Sequence, residues 1–262
     1  MPLDTSTYSL ALLRLDGRRW NELRRLTAQI STQPSSDGSS YLSMGNTQVL
    51  CTVTGPCDPS KLRSIGGGGS NNAGEKAEVR VEISFAGFAG VDRKKYGRND
   101  KRIQELSSTL STTFTPHLLT TLTSHSTILI SLHILSLDGS LLSALINAST
   151  LALIDAGIPM PSYICACTAG STSSYSSNDE KADPLLDLNL GEEQELPFLT
   201  VATAGEGDGD GVVALVMETR VQAGRLEGML AVGVDGCKQV REILDGVIRT
   251  RGKKILSGAM AS

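Results

Sequence analysis

The sequence predicts one α+β domain in which mixed sheets pack against helices. Apolar residues at every second position, the pattern of a half-buried strand, occur in several short segments. Apolar residues spaced three and four apart, the pattern of an amphipathic helix, occur between and after these segments. Together the patterns give the order strands, helix, strand, helix, strands, helix, which is typical of an α+β domain.

The first part of the chain is predicted to be antiparallel sheet. A basic arm, residues 10–25, leads into the first strand. Hairpin turns are predicted at Asp37-Gly38 and at Gly45-Asn46, because such pairs favour tight turns. The predicted strands of this part, together with one before the second helix, are residues 27–32, 39–44, 48–54, 79–85 and 128–137.

Three helices are predicted. The first covers residues 103–122, and Pro116 should kink or divide it. The second, residues 140–156, is apolar all round, as a buried helix is, and Gly157 follows it as a cap. The third covers residues 226–256. The remaining predictions are an acidic, irregular segment at 185–195 and strands at 163–169, 199–203 and 212–217.

Residues 1–262 are predicted to form a single domain with flexible loops near 58–76, 171–183 and 205–211. The formal net charge of −4 argues against a generally basic nucleic-acid coat, so that any RNA site has to be local. Five scattered cysteines, without an apolar segment of about 18 residues, indicate free thiols in the nucleus or cytosol.

Three short motifs suggest ligands that their residues do not support. Residues 69–76 nearly match a phosphate loop, but Glu75 stands before the lysine and a strand follows. Cys165 and Cys167 have no second Cys or His pair at zinc spacing, so buried structural thiols are expected. Residues 207–211 lack the closing Glu of an EF-hand loop, and a hairpin tip is expected. No metal and no cofactor is predicted.

The strongest local signal is a basic cluster at the start of the first helix. Six cations fall within ten residues, and Asp100 is the only acid among them. Clustered cations displace counterions from RNA, but a solvated loop is the alternative, and the residues alone slightly favour it. The six are Arg93, Lys94, Lys95, Arg98, Lys101 and Arg102.

Five short motifs, spread in one order over nearly the whole chain, together resemble the ribonuclease PH family. Each motif is weak alone, but the combination is specific. The resemblance implies the ribonuclease PH fold, which is of the ribosomal protein S5 domain 2-like type. The motifs are residues 15–19, 45–49, 100–105, 137–139 and 152–160.

Within this family, residues 18–25 and 159–160 are most similar to a eukaryotic RNA exosome subunit, the counterpart of the catalytic archaeal subunit. The similarity implies a hexameric ring of ribonuclease PH-like proteins with cap subunits. Single-stranded RNA would pass through its pore toward a separate 3′-5′ exoribonuclease, for rRNA processing and RNA decay. It also implies nucleus, nucleolus and cytoplasm as locations, and no membrane.

Active family members cleave RNA by phosphorolysis and hold the attacking phosphate with Gly-Thr-Arg, or a close variant, after an Asp-Gly turn. In this chain Leu141 and Leu142 replace the hydroxyl and the guanidinium, and apolar side chains cannot offset the desolvation of phosphate. The family's two acids correspond to Asp187 and Glu193, with Glu in place of the second Asp. Both are expected to be vestigial or structural.

The resemblance and the basic cluster together predict five RNA-binding residues. The hypothesis is therefore a non-catalytic, RNA-binding ring subunit. Two alternatives stay open: an active phosphorolytic exoribonuclease that uses both acids, and a ring component that does not touch RNA. The predicted RNA-binding residues are Arg63, Ser64, Arg98, Lys101 and Arg102.

Overall fold

Two β-sheets lie on either side of a buried helix in the computed structural model. The structure describes residues 13–14, 16–58, 77–90, 93, 96–97, 100–172, 183–205 and 211–261. Most of the three segments predicted to be flexible loops lies outside these ranges, so their flexibility stays a prediction. No helix among the described residues is long and apolar enough to cross a membrane.

The first sheet has five strands, each of which overlaps a predicted strand. They are β1 (Leu26–Ile30), β2 (Gly38–Met44), β3 (Thr47–Cys57), β4 (Glu78–Phe85) and β5 (Thr127–Ser136). Their order is β1-β2-β3-β5-β4, and all neighbours are antiparallel except β4 and β5. Alternate residues of the central strands, among them Leu42, Val49 and Ile130, are completely buried.

The two predicted hairpin turns have different outcomes. Gly45 and Asn46 form the loop between β2 and β3, and Gly45 has a φ of +60°, which favours glycine. Gly38, in contrast, is the first residue of β2. A Cβ atom there would lie 2.3 Å from the carbonyl oxygen of Ala152. The predicted hairpin between β1 and β2 is therefore present, but Gly38 belongs to the strand and not to the turn, and it permits the close approach of a helix.

The first two predicted helices are present, and the first is shorter than predicted. Helix α1 is Lys101–Phe114, and it stops before Pro116, which has no N–H to continue the helical hydrogen bonds. Leu122, at the end of the predicted stripe, is 69% exposed. Helix α2 is Leu141–Asp155; it is the buried helix between the sheets, and Gly157 follows it with a φ of +68°.

The second sheet has four antiparallel strands. They are β6 (Ile164–Ser171), β7 (Pro184–Leu186), β8 (Phe198–Ala204) and β9 (Gly211–Met217), in the order β7-β6-β8-β9. One face packs against α2, and the other packs against the predicted C-terminal helix, α4 (Ala223–Ala261). Gly233 and Gly236 permit the close approach of α4, since a Cβ atom at Gly236 would lie 2.4 Å from Leu186.

The prediction of an irregular segment at 185–195 is wrong. Its beginning pairs with β6 as β7, and a short helix, α3 (Leu190–Glu195), follows. Asn189 and Glu192 form a capping box that starts α3. A three-residue spacing of this kind is visible in the sequence, so this helix could have been predicted.

None of the five cysteines forms a disulfide bond. Cys165 and Cys167 are completely buried on β6, as predicted for structural thiols. Burial also raises the pKa of the Cys51 thiol to about 12. Among the described residues, no group of His, Cys, Asp and Glu side chains could hold a metal ion.

Candidate functional site

The turn that follows β5 presses against the loop that precedes α3. Gly139 has a φ of +75° and Ser140 a left-handed φ of +51°. A Cβ atom at Gly139 would lie 2.6 Å from the backbone of both Asn189 and Leu190, so only glycine fits at this position. The turn therefore places Ser140, the residue before α2, against the segment that carries both predicted acids.

Asp187 is buried and its carboxylate is hydrogen-bonded on both oxygens. Arg24 donates from its backbone N at 2.8 Å, from Nη2 at 2.8 Å and from Nε at 3.1 Å. The Oγ of Ser140 donates a further hydrogen bond at 3.0 Å. Burial raises the pKa of Asp187, but the charge and hydrogen bonds of Arg24 outweigh it and hold the pKa below its usual value. Asp187 is therefore an ionised anchor.

Two further arginines of the basic arm hold the segment around Asp187. Arg14 forms a buried ion pair with Glu192 and donates to the carbonyl oxygens of Leu186 at 2.5 Å and Asp187 at 2.9 Å. Arg18 donates to the carbonyl oxygen of Asp187 at 3.1 Å. No such role of the arm was predicted from the sequence. The signal that could have revealed it is the opposite charge of the arm and the acidic segment.

Glu193 faces the same turn from α3. Its Oε1 accepts a hydrogen bond from the backbone N of Ser140 at 2.5 Å. Burial raises the pKa of Glu193 to about 7, although the Ser140 hydrogen bond and the charges of Arg24 and Arg102 act in the opposite direction. The two acids thus converge on one residue, since Asp187 binds the hydroxyl of Ser140 and Glu193 binds its backbone amide.

Leu141 and Leu142, the residues in the position of the phosphate fork, begin α2. The side chain of Leu141 is buried, and that of Leu142 packs against the larger hydrophobic core. Neither side chain has a polar atom that could bind an anion. An apolar surface therefore lies where the resemblance implies a phosphate site.

A cleft of about 690 Å³ opens beside Glu193. Arg93, Tyr96 and Arg102 are among the residues that line it. The ring of Tyr96 packs on that of Phe85, with the ring centroids 4.6 Å apart. Aromatic rings and cations side by side are the combination that binds single-stranded nucleic acid. Tyr96 was not predicted from the sequence, because one aromatic residue among basic residues gives no pattern.

The structure describes two of the five predicted RNA-binding residues. Lys101 and Arg102 are exposed in the first turn of α1, which contains no acidic residue. Of these two, only Arg102 lines the cleft. Arg63, Ser64 and Arg98 lie outside the described residues, so their predicted roles have no geometry to support or oppose them.

Comparison with known proteins agrees with this architecture. The model of the 3′ exoribonuclease family, domain 1 (RNase PH), matches residues 22–159. The chain belongs to this family. Among RNase PH relatives, the exosome complex component ski6 of Schizosaccharomyces pombe is 38% identical over 95% of this chain and 96% of its own length. The exosome complex component RRP41 of Homo sapiens is 33% identical over 94% of this chain and 95% of its own length.

Two solved structures of RNase PH-like proteins confirm the predicted α+β fold. The crystal structure of rice (Oryza sativa) Rrp46 has a TM-score of 0.70 and 25% identity, and covers 88% of this chain and 98% of that protein. The Archaeoglobus fulgidus exosome with RNA bound to the active site contains a chain with a TM-score of 0.72 and 19% identity. That likeness covers 92% of this chain and 96% of the archaeal chain, and it concerns the fold alone.

Proposed function

We propose that the chain is a non-catalytic, RNA-binding ring subunit of the RNA exosome. The ski6 and RRP41 relatives are named exosome complex components, and they match this chain over nearly all of its length. In this proposal, single-stranded RNA passes through the central pore of the ring toward a separate 3′-5′ exoribonuclease. The ring serves rRNA processing and RNA decay.

The beginning of α2 is the observation that carries the non-catalytic part of the proposal. Phosphorolysis requires a bound inorganic phosphate, a neutralised scissile phosphate and a proton donor. Leu141 and Leu142 have no group for the first task. Asp187 is held ionised by Arg24, which makes it unsuitable for the third. Arg102 keeps a cation at the cleft, where it can bind the RNA backbone.

Three finer points extend this proposal. The chain is the counterpart of the catalytic archaeal exosome subunit, and its neighbours are ribonuclease PH-like ring subunits, cap subunits and the associated exoribonuclease. It works in the nucleus, the nucleolus and the cytoplasm. Residues 1–262 form one domain, which is supported by a core cluster that unites Val49 of the first sheet with Ala202 of the second.

One observation favours the alternative of an active phosphorolytic exoribonuclease. The pKa of Glu193 is about 7, because burial raises it, and a carboxyl group with such a pKa suits proton transfer at neutral pH. This acid would still lack a bound phosphate to act with, since the two leucines remain at the start of α2.

The assay for phosphorolysis uses the chain assembled with its ring partner. The complex is incubated with oligoadenylate, inorganic phosphate and Mg²⁺, and ADP release is measured. We expect none, while an active ribonuclease PH-type enzyme in parallel releases ADP. Phosphate-dependent ADP release that disappears in Glu193→Gln would establish the enzymatic alternative and refute the non-catalytic proposal.

A further inference from the structure

A second cavity follows β4, which is the last strand in the order of the first sheet. This edge cavity has a volume of about 470 Å³. Residues 81–85 of β4 line it, together with residues of α1, β3 and β5. Cavities of about 300–1,000 Å³ are of the size that holds small organic groups. The edge cavity is therefore large enough for one such group.

The edge cavity and the cleft beside Glu193 share a boundary. Phe85, Tyr96 and Ile103 line both of them. The ring of Tyr96 packs on that of Phe85, and Tyr96 is 37% exposed, so an aromatic surface is accessible at this boundary. A linear ligand that lies along the cleft can therefore place one of its groups in the edge cavity beside Tyr96.

The two spaces differ in charge. Arg93 and Arg102 line the cleft, whereas no lysine or arginine of the described chain lines the edge cavity. Glu82 lines the edge cavity and adds a negative charge. Ser84 and Gln104 add a hydroxyl group and an amide group, which offer hydrogen-bond donors and acceptors without a positive charge. A phosphate is therefore disfavoured in the edge cavity, and a neutral group with a polar edge is favoured.

We propose that the edge cavity binds a nucleobase of single-stranded RNA whose phosphates lie in the cleft. The inference rests on the proposed function, because it takes RNA as the ligand of the cleft. A base has apolar faces and a polar edge. Tyr96, Val81 and Ile103 suit its faces, whereas Ser131 and Gln104 suit its edge. The cations of the cleft thus bind the backbone, and the edge cavity adds contacts that do not depend on phosphate charge.

The test measures the affinity for single-stranded RNA of the chain assembled with its ring partner. Ser84→Leu places an apolar side chain in the edge cavity from an exposed strand position. We expect this variant to bind RNA about tenfold more weakly, because the base loses its site. The dependence of log affinity on log salt should stay unchanged, because no phosphate contact is lost. Arg102→Gln, in contrast, should weaken binding and make this dependence less steep.

A second RNA, which carries abasic sites in place of its bases, separates the base from the backbone. The wild type should bind it more weakly than natural RNA, and Ser84→Leu should cause no further loss. Gln29→Leu is the matched control, at an exposed position on β1 at the other edge of the same sheet, and should bind RNA like the wild type. Gln104→Leu changes the edge cavity from α1 and replaces Ser84→Leu if that variant does not fold.

Three results would overturn the inference. The first is wild-type RNA affinity in the folded cavity variants while Arg102→Gln weakens binding, which refutes the base site and leaves the proposed function intact. The second is an equal loss for natural and abasic RNA in Ser84→Leu. The third is a loss of ring assembly in Ser84→Leu but not in Gln29→Leu, which would assign the edge cavity to a protein neighbour. An unchanged affinity and salt dependence in Arg102→Gln would instead refute the cleft as the RNA site, and with it the inference that rests on the cleft.

Discussion

Asp187 and Glu193 both accept hydrogen bonds from Ser140, but they lie in different environments. The comparison distinguishes a side chain that stabilises the fold from one that faces the cleft. Asp187 faces the basic arm, where the charge of Arg24 holds it ionised against the effect of burial. Glu193 faces the cleft, where burial outweighs the nearby cations and raises its pKa to about 7. Environments that move the pKa values of two carboxyl groups in opposite directions give the two groups different roles.

The same division applies to the arginines on the two sides of α3. On the arm side, Arg14 and Arg24 are nearly inaccessible and paired with acids, so they fasten the segment to the fold. On the cleft side, Arg102 is exposed at the start of α1 and lines an open surface. Buried pairs are costly to break, whereas exposed cations can be exchanged at little cost in stability.

The largest effect is expected on the arm side, at Asp187. Asp187→Asn should lower the free energy of unfolding by about 3–5 kcal/mol, because Arg24 would remain buried without its counter-charge. Urea denaturation followed by circular dichroism measures the change. Asp183→Asn, at an exposed position in the same segment, is the control and should alter stability by about 0.5 kcal/mol or less. Equal stability of Asp187→Asn and wild type would show that this pair does not anchor the segment.

The strands and the end of α2 were predictable because their signals are local. The alternation of Val79 to Phe85 and the glycine after α2 each depend on a few neighbouring residues, and both predictions are confirmed. The anchor of Asp187 was not predictable in this way. Arg24 lies 163 residues away in sequence, and no local pattern reports such a pairing.

The candidate site was predictable only in part. Its residues Leu141, Asp187 and Glu193 were located through the resemblance to the ribonuclease PH family. Their roles depend on long-range contacts, such as the hydrogen bonds from Arg24 to Asp187 and from the backbone N of Ser140 to Glu193. Both acids were expected to be vestigial or structural, and the contacts of Asp187 with Arg24 agree with a structural role for that acid.

A second expected effect concerns RNA binding on the cleft side. Lys101→Glu together with Arg102→Glu should weaken binding of single-stranded RNA by the assembled complex, alike for different sequences, because backbone contacts carry no base information. Log affinity falls as log salt concentration rises, and neutralising one phosphate contact should make this negative slope less steep by about 0.7. Filter binding at several salt concentrations measures both quantities.

The matched control for this double reversal is Arg249→Glu together with Lys253→Glu, at exposed positions near the end of α4. It changes the net charge equally and should leave the salt slope as in the wild type. If both double variants weaken RNA binding to the same extent, the effect reflects overall charge. The assignment of RNA to the cleft would then be wrong.

The pH dependence of stability should have opposite signs for the two acids. Glu193 has a pKa of about 7 in the fold and an ordinary value of 4.5, so its stabilising contribution is complete below 4.5 and is lost as pH rises to about 7. The melting temperature of Glu193→Gln relative to wild type should therefore rise over this range, by about 2–4 °C for each kcal/mol of stabilisation that the wild type loses. Asp187 has a pKa below its ordinary value of 3.8, so its contribution is lost only as pH falls below 3.8.

Thermal melting from pH 3 to pH 8 tests both signs in one series. The deficit of Asp187→Asn should be constant above pH 5 and shrink at the acidic end. A flat difference between Glu193→Gln and wild type would mean that Glu193 does not retain its proton at neutral pH.

The smallest expected effect distinguishes the two neighbouring cations of α1. Arg102 lines the cleft and its charge lowers the pKa of Glu193, whereas Lys101 does not line the cleft. Arg102→Gln should therefore move the Glu193 titration to higher pH, and Lys101→Gln should move it less. Carboxyl NMR of protein labelled at glutamate can follow this group directly. Equal shifts in the two variants would show that Glu193 senses the whole basic surface of α1. Unequal shifts would show that Arg102 and Glu193 form one electrostatic unit, so that an RNA phosphate bound at Arg102 would also raise the pKa of Glu193.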